Sequence, residues 1–299
     1  MNIVKKLIRY GIYSIRTLTA FRYVSQYLEN GIYCLNGKHL SKGRKFPFLP
    51  VYTSKKSDTL GAEATIYWGE WTNKIVFVLE EIVFSFYDKR GKAWNRNISE
   101  KYSALTYPKI EYIAFDKKNR FNISRRAKGI VHIDKAHIEI LAKDIICNNA
   151  KQELLYDVPY QQSTIFSSVG IDNVISVLQH GDASPYNVVW NSENSYQFID
   201  LDTIGLKPFL YDFFKVWLIH FREDGISEYV DGVFDEELIS FFMNNSIQVE
   251  DLEVEKDKYL AVFIAFSEQY WNTSSIDFGY LPKRYQITTK VLQYFKEKS

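Results

Sequence analysis

"HGDASPYNVVWNSENSYQFIDLD", residues 180–202, is the stretch on which the reading of this chain turns. Residues 187–190 and 197–200 are apolar-rich and flank the turn-forming run "NSENS", which is the pattern of a β-hairpin. A turn centred between Glu193 and Asn194 sets Val188 opposite Ile199 and Asn187 opposite Asp200. Directly opposed residues of an antiparallel pair have Cα atoms about 4.5–5.5 Å apart. An amide and a carboxylate at that spacing can share one ion. Asp182 precedes the first strand at the same end.

Alone, an Asp or Asn at a strand end is ordinarily a turn or cap residue. Three together, five and eighteen residues apart counted from Asp182, suit phosphoryl transfer, which needs positioning and charge neutralisation more than covalent chemistry. Asp200 can bind Mg²⁺ bridging nucleotide phosphates and Asn187 a second Mg²⁺, while Asp182 orients an acceptor hydroxyl and takes its proton. A zinc hydrolase built on His180 is disfavoured, since no second His or Cys stands at ligand spacing from it. Ser184 lacks the Gly-x-Ser-x-Gly elbow of a serine nucleophile.

From Gln179 to Asp212, "QHGDASPYNVVWNSENSYQFIDLDTIGLKPFLYD", the sequence closely resembles the catalytic core of the protein-kinase-like phosphotransferases that act on small molecules, the aminoglycoside phosphotransferases and choline and ethanolamine kinases among them. The resemblance implies Asp182 as catalytic base, Asn187 and Asp200 as metal ligands, and His180 as the residue bracing the catalytic loop. It also implies Asp212 as an acid supporting that loop from the next helix. ATP or GTP is the implied co-substrate, with Mg²⁺. Asp202 falls where such sequences often carry an acid. "TIGLKPFLYD" is too short for a protein-kinase activation segment, which disfavours protein substrates.

Upstream, "ATIYWGEW", "KIVFVLEE" and "IVFSFYDK" are strand-length runs rich in β-branched and aromatic residues and predict a small antiparallel sheet. "AWNRNISEKYSALTY" predicts a short helix, with Asn97 or Ser99 near its start and Glu100 in its early turns. "KIEYIAFDKKNRFNISRRAKGI" predicts a hairpin turning at 117–120. After Gly129 the pattern becomes mainly helical, including "KAHIEILAKDIICNNA" and "FSSVGIDNVISVLQ". The fold expected is α+β and bilobal: residues 1–57 a basic helix and connector, 58–130 a sheet lobe with one helix, 131–299 a helical lobe carrying the hairpin. A crevice lies between two such lobes.

The sheet lobe resembles the family only in outline. "LGAEATIYWG" resembles a nucleotide-covering loop with Gly61 and Gly69 where three glycines are usual. Glu100 is the candidate for the helix acid that pairs with a strand lysine. That lysine position falls near Leu79 or Ser85, neither of them cationic, leaving Lys74 and Lys89 at the strand ends as substitutes or as ordinary surface charges. Two function classes follow: an active phosphotransferase, supported by Asp182, Asn187 and Asp200, or a kinase-like binding or scaffold protein without turnover, supported by the missing lysine.

Composition narrows the setting. Hydrophobic residues make up 46% and charged residues 24%, which is globular and excludes a disordered chain. The two cysteines, Cys34 and Cys147, are too far apart for a zinc framework and fit reduced thiols in the cytoplasm. The net charge of +1 is uneven: nine Lys or Arg against Glu29 give +8 over residues 1–50, leaving −7 elsewhere. Residues 2–28 have a basic amphipathic pattern that either packs on the body or touches a membrane surface. No comparable basic footprint for nucleic acid follows. Acidic runs at 235–237 and 250–257 read as solvated helix faces or as a surface for a polycation; Tyr270, Trp271 and Tyr280 read as core or as an aromatic pocket for the acceptor. A sugar or cell-envelope glycan precursor is the acceptor favoured by the basic end.

Overall fold

The computed structural model describes residues 32–33, 35–39, 45–46, 52–53, 64–69, 74–78, 81–87, 98–116, 120–151, 155–159, 171, 173–271 and 286–298. They fall into two compact units, one drawn from residues 1–96 and 110–127, the other from 97–109 and 128–299. The fold is α+β, with a sheet unit and a larger, mainly helical unit.

In the sheet unit the three predicted runs form strands β5 (Ala64–Gly69), β6 (Lys74–Val78) and β7 (Ile82–Tyr87), following the short strands β1 (Ile32–Tyr33), β2 (Leu35–His39), β3 (Lys45–Phe46) and β4 (Tyr52–Thr53). The hairpin β8 (Tyr112–Asp116) and β9 (Phe121–Arg125) completes a seven-stranded sheet of order β3-β2-β5-β6-β7-β9-β8. The segment read as a connector therefore contributes strands, and β2 pairs with β5 in parallel, the exception in an otherwise antiparallel sheet. Alternation gives the sheet two distinct faces. Phe77, Phe84 and Phe121 pack on one, with Phe84 stacked on Phe121 at 4.7 Å. Ser85, Tyr87 and Asn122 lie on the other, where the Asn122 amide donates to the Tyr87 hydroxyl at 3.2 Å.

The helical unit begins with α1 (Ile98–Ala104), which the sequence reading grouped with the sheet lobe. The residues after it explain its grouping: Thr106 donates to the Asn148 carbonyl, Tyr107 donates to the Asn149 side chain, and the Phe198 amide donates to the Pro108 carbonyl. Helix α2 (Lys135–Asn149) follows, capped by Asp134, whose carboxylate accepts from the His137 amide. A three-stranded antiparallel sheet comes next, β10 (Leu155–Pro159), β11 (Asn173–Gln179) and β14 (Gly205–Pro208), with β11 central. This corrects the helical reading of "FSSVGIDNVISVLQ" over 173–179. Val174, Ile175 and Val177 are β-branched, and pairing on both edges outweighs a helical spacing of apolar residues too short to settle the matter.

Helix α3 (Tyr211–Val230) is central to the unit: residues 211–218 are all buried, including the charged Asp212 and Lys215. Helices α2 and α5 (Leu252–Trp271) pack on it, α4 (Asp235–Asn244) packs on α2, and α6 (Gln286–Lys298) packs on α5. Phe209 stacks on Phe241 at 3.6 Å and meets Phe242 and Tyr259 edge-on. Phe213, Trp217, Tyr229 and Phe234 make a second aromatic cluster. The acids of "DEE" stand in the first turn of α4, where the helix dipole favours them, and Asp235 pairs with the buried Lys256 at 2.6 Å. The amino-terminal helix of 2–28, Cys34's side chain, the Tyr270 and Trp271 side chains and Tyr280 lie outside the described residues. Among the described residues no helix is long and apolar enough to cross a membrane.

Candidate functional site

The site is assembled on the hairpin β12 (Val188–Ser192) and β13 (Ser195–Phe198), entered through a short 3-10 turn, Pro185–Asn187, and left through another, Leu201–Thr203. The hairpin forms where expected, but its register differs by one residue. Val188 faces Phe198 and Trp190 faces Tyr196, with an irregularity before Ser192↔Ser195. The extra residue in the first strand is a bulge, which the even spacing of a perfect ladder cannot foresee. Asn187 consequently meets Ile199 rather than Asp200: the Ile199 amide donates to the Asn187 carbonyl at 2.9 Å. Asp200 stands one residue beyond that bond, with left-handed backbone (φ 59°, ψ 54°). Such a conformation is costly for a residue with a side chain, and the surrounding structure maintains it.

His180 is fully buried and bonds in two directions. Its Nε2 donates to the Ile199 carbonyl at 2.8 Å, while its Nδ1 accepts from the Asp182 amide at 3.2 Å. Those partners define the neutral ring with its proton on Nε2. One imidazole thereby joins the loop carrying Asp182 to the residue before Asp200. The Asn187 amide donates from Nδ2 to the Asp182 carbonyl at 2.8 Å, closing the loop over five residues. Thr203 donates from Oγ1 to the His180 carbonyl at 2.8 Å.

Gly181 has φ +81°, and a Cβ there would lie 2.4 Å from the Thr203 carbonyl oxygen and 3.1 Å from Lys207 Cε, so glycine is required. Its amide donates to the fully buried carboxylate of Asp212, at 3.0 and 3.3 Å to the two oxygens. Gln179 completes the brace: its Oε1 accepts from the Asp212 amide at 2.9 Å and its Nε2 donates to the Pro208 carbonyl at 2.7 Å. Burial pushes the Asp212 carboxyl above its ordinary value, opposed by the charge of nearby Lys215 and by the Gly181 and His180 backbone amides. Burial likewise raises the Tyr107 phenol, with the charge of Asp212 adding to the effect. Burial pulls the Lys207 ammonium down; Asp212 opposes this, and Lys215 and Lys101 add to it.

Asp182 is the accessible member, its side chain 41% exposed. Lys215, buried on α3 one turn after Asp212, donates from Nζ to Asp182 Oδ1. Sequence reading missed this lysine. The only sequence signal is its place three residues after Asp212, which puts both on one helix face.

Of the residues singled out in the sequence, His180, Asp182, Asn187, Asp200 and Asp212 come together within the helical unit. Lys74 lies in the sheet unit, buried at the start of β6, its ammonium 5.5 Å from the centre of the Tyr87 ring. Ser85 is buried in β7 opposite Val76. Glu100 is in the first turn of α1 and exposed. Gly61, Leu79 and Lys89 lie outside the described residues.

Residues 173–242, from β11 through α4, match the model of the phosphotransferase enzyme family. The match takes in the whole stretch from Gln179 to Asp212, the stretch whose sequence resembles the protein-kinase-like small-molecule phosphotransferases. Solved structures similar to the chain include a choline kinase of Streptococcus pneumoniae, at 15% identity over 76% of this chain and 92% of that one, with a TM-score of 0.43. An ethanolamine kinase of Plasmodium vivax is similar at 15% identity over 78% and 81%, with a TM-score of 0.45. Aminoglycoside 2'-phosphotransferase-IIIa, solved with GDP, is similar at 13% identity over 78% and 92%, with a TM-score of 0.43. No curated protein matches the chain in sequence.

Proposed function

We propose that the chain transfers the terminal phosphoryl group of ATP or GTP to a hydroxyl of a small molecule, with a sugar or cell-envelope glycan precursor as the acceptor class. The observation that carries the reading is the brace in which Asp212 holds Gly181 and His180 ties Asp182 to Ile199. It fixes a carboxylate, an amide and a second carboxylate at one end of a hairpin, and positioning of this kind supplies much of the barrier reduction in phosphoryl transfer.

Asp182 is the base. It aligns the acceptor hydroxyl and receives its proton as the acceptor oxygen bonds to the terminal phosphorus; the bond from that phosphorus to the bridging oxygen breaks, and the nucleoside diphosphate leaves. Lys215 keeps Asp182 in place and balances its charge. His180 is a positioning residue. Asn187 and Asp200 are the hard oxygen donors that suit Mg²⁺. With Nδ2 committed to the Asp182 carbonyl, the Asn187 side chain turns its Oδ1 the other way, which fits a ligand role. Bound there, Mg²⁺ neutralises phosphate charge. Gly61, Glu100, Lys74 and Lys89 are the further nucleotide-binding candidates, with Lys74 or Lys89 standing in for the usual strand lysine.

Ser85, buried at one of the two positions where that lysine is expected, favours a second reading, a kinase-like binding protein without turnover. Thermal unfolding of wild type and Asp200→Asn with ATP or GTP, each with Mg²⁺ or EDTA, tests the first. A ligand that binds the folded state raises its stability by mass action. The expected result is a Mg²⁺-dependent rise that Asp200→Asn loses. No shift with either nucleotide at millimolar concentration overturns the enzyme reading, and a shift without turnover on any hydroxyl acceptor supports the second.

A further inference from the structure

Away from Asp182, residues 132–137, "HIDKAH", gather two imidazoles and a carboxylate in six residues. His132 and His137 lie face to face, ring centres 3.8 Å apart and planes 8° apart. Both present Nδ1 to Asp134: His137 Nδ1 is 2.7 Å from Oδ1 and 2.9 Å from Oδ2, and His132 Nδ1 is 3.3 Å from Oδ2. One ligand atom from each lies within 4.8 Å of the others. Trp190 supports both rings edge-on, at 4.8 Å from His137 and 6.1 Å from His132.

We infer that His132, Asp134 and His137 form a binding site for a divalent transition-metal ion, Zn²⁺ in the first place. Imidazole nitrogen with one carboxylate oxygen is a donor set that Zn²⁺ takes in preference to Mg²⁺ or Ca²⁺. Zinc bonds of about 2.0–2.2 Å set neighbouring ligand atoms of a tetrahedron roughly 3.3–3.5 Å apart. The His132–Asp134 separation is already there and the His137–Asp134 pair opens by about 0.6 Å as the metal replaces the Nδ1 proton, while at least one imidazole turns out of the stack, because two parallel rings cannot both hold one ion in their planes. His132 and His137 are partly exposed and Asp134 is exposed, so an ion reaches them from solvent and water completes the coordination.

The site is fastened to the catalytic hairpin. Ile130 and Trp190 exchange two backbone hydrogen bonds, at 3.0 and 2.8 Å, and Trp190 lies on β12 three residues after Asn187. A bound ion therefore clamps the entry to α2 against the strand that carries the proposed metal ligand Asn187. The zinc site itself does not depend on the phosphotransferase reading.

The test is titration of the full chain, purified without a histidine tag, with Zn²⁺ against a chromophoric chelator. Wild type and Asp200→Asn are expected to bind one equivalent that His132→Gln and His137→Gln weaken at least about tenfold. Equal binding by wild type and both histidine variants, or no saturable equivalent in wild type, overturns the assignment. Co²⁺ on wild type gives a readout that needs no variant to fold. Intense visible absorption, from a tetrahedral nitrogen-containing site, supports it, and only the faint colour of octahedral oxygen-bound Co²⁺ overturns it.

Discussion

Gly181→Ala tests the brace at its narrowest point. The new Cβ costs about 1–2 kcal/mol for a left-handed backbone, and it also meets the Thr203 carbonyl at 2.4 Å, where real contacts stay beyond 3.0 Å. That carbonyl, or the glycine, must move by about 0.6 Å, and Thr203 cannot shift freely because its hydroxyl donates to His180. A shift of Gly181 instead stretches its amide away from the buried Asp212, and weakening a buried bond to a charged group costs about 1.5–3 kcal/mol. The sum is a loss of about 2.5–5 kcal/mol. Urea denaturation followed by fluorescence measures it. Gly205→Ala is the matched control: a Cβ there meets the same Thr203 carbonyl at an ordinary 3.7 Å, so its change should stay within about 1 kcal/mol. Because Gly181 separates His180 from Asp182, residual turnover in the folded variant should fall by about a hundredfold, the effect of an ångström's misplacement. If both variants lie within about 1 kcal/mol of wild type, the brace does not carry strain and the reasoning fails.

Asp182→Asn should lower kcat by at least about 10²-fold with nucleotide binding intact, as removal of a general base does; an unchanged kcat would exclude the role. Lys215→Met should lower kcat by about tenfold to a hundredfold, with Lys215→Arg recovering part of it in the same kinetic assay. Asp257→Ala should destabilise by about 2–3 kcal/mol in denaturant titrations, because that buried carboxylate accepts the Ile287 and Thr288 amides at the start of α6. Burial holds the Asp257 carboxyl above its ordinary value, against the pull of those bonds. The folded state then holds the proton more tightly than the unfolded chain, so this group favours folding below about pH 3.9 and the advantage is lost as pH rises through the folded value. Between those values wild-type stability should fall with rising pH relative to Asp257→Asn, as paired denaturation curves would show.

The gathering of residues 180–212 in one place was legible because it depends on side-chain type and short spacing. Asp182, Asn187, Asp200 and Asp212 all lie in the helical unit, and the hairpin was visible in its turn residues. What escaped depended on pairing across greater distance. The register of β12 against β13 was missed because a bulge near Ser192 leaves no mark in apolar alternation. Residues 173–179 read as helix because seven residues do not separate a helical period from a buried central strand. Lys215 reaches Asp182 from a helix 33 residues later in the chain, and only the fold shows that contact. The zinc ligands were local and legible in principle, but a search for partners of His180 alone passed over them.

The grouping of residues 97–109 with the helical unit bears on how the chain is made. The Phe198 amide bonds to Pro108, and Tyr107 bonds to Asn149, so this segment emerges from the ribosome well before its partners. Ninety residues separate Pro108 from Phe198, and at about 5–20 residues per second the wait is roughly 5–18 seconds. Through that interval Leu105 and Tyr107, both buried in the finished protein, have no completed core to enter. Sheet hairpins such as β6–β7 have both strands at hand early in synthesis, whereas the second unit must await its own later half.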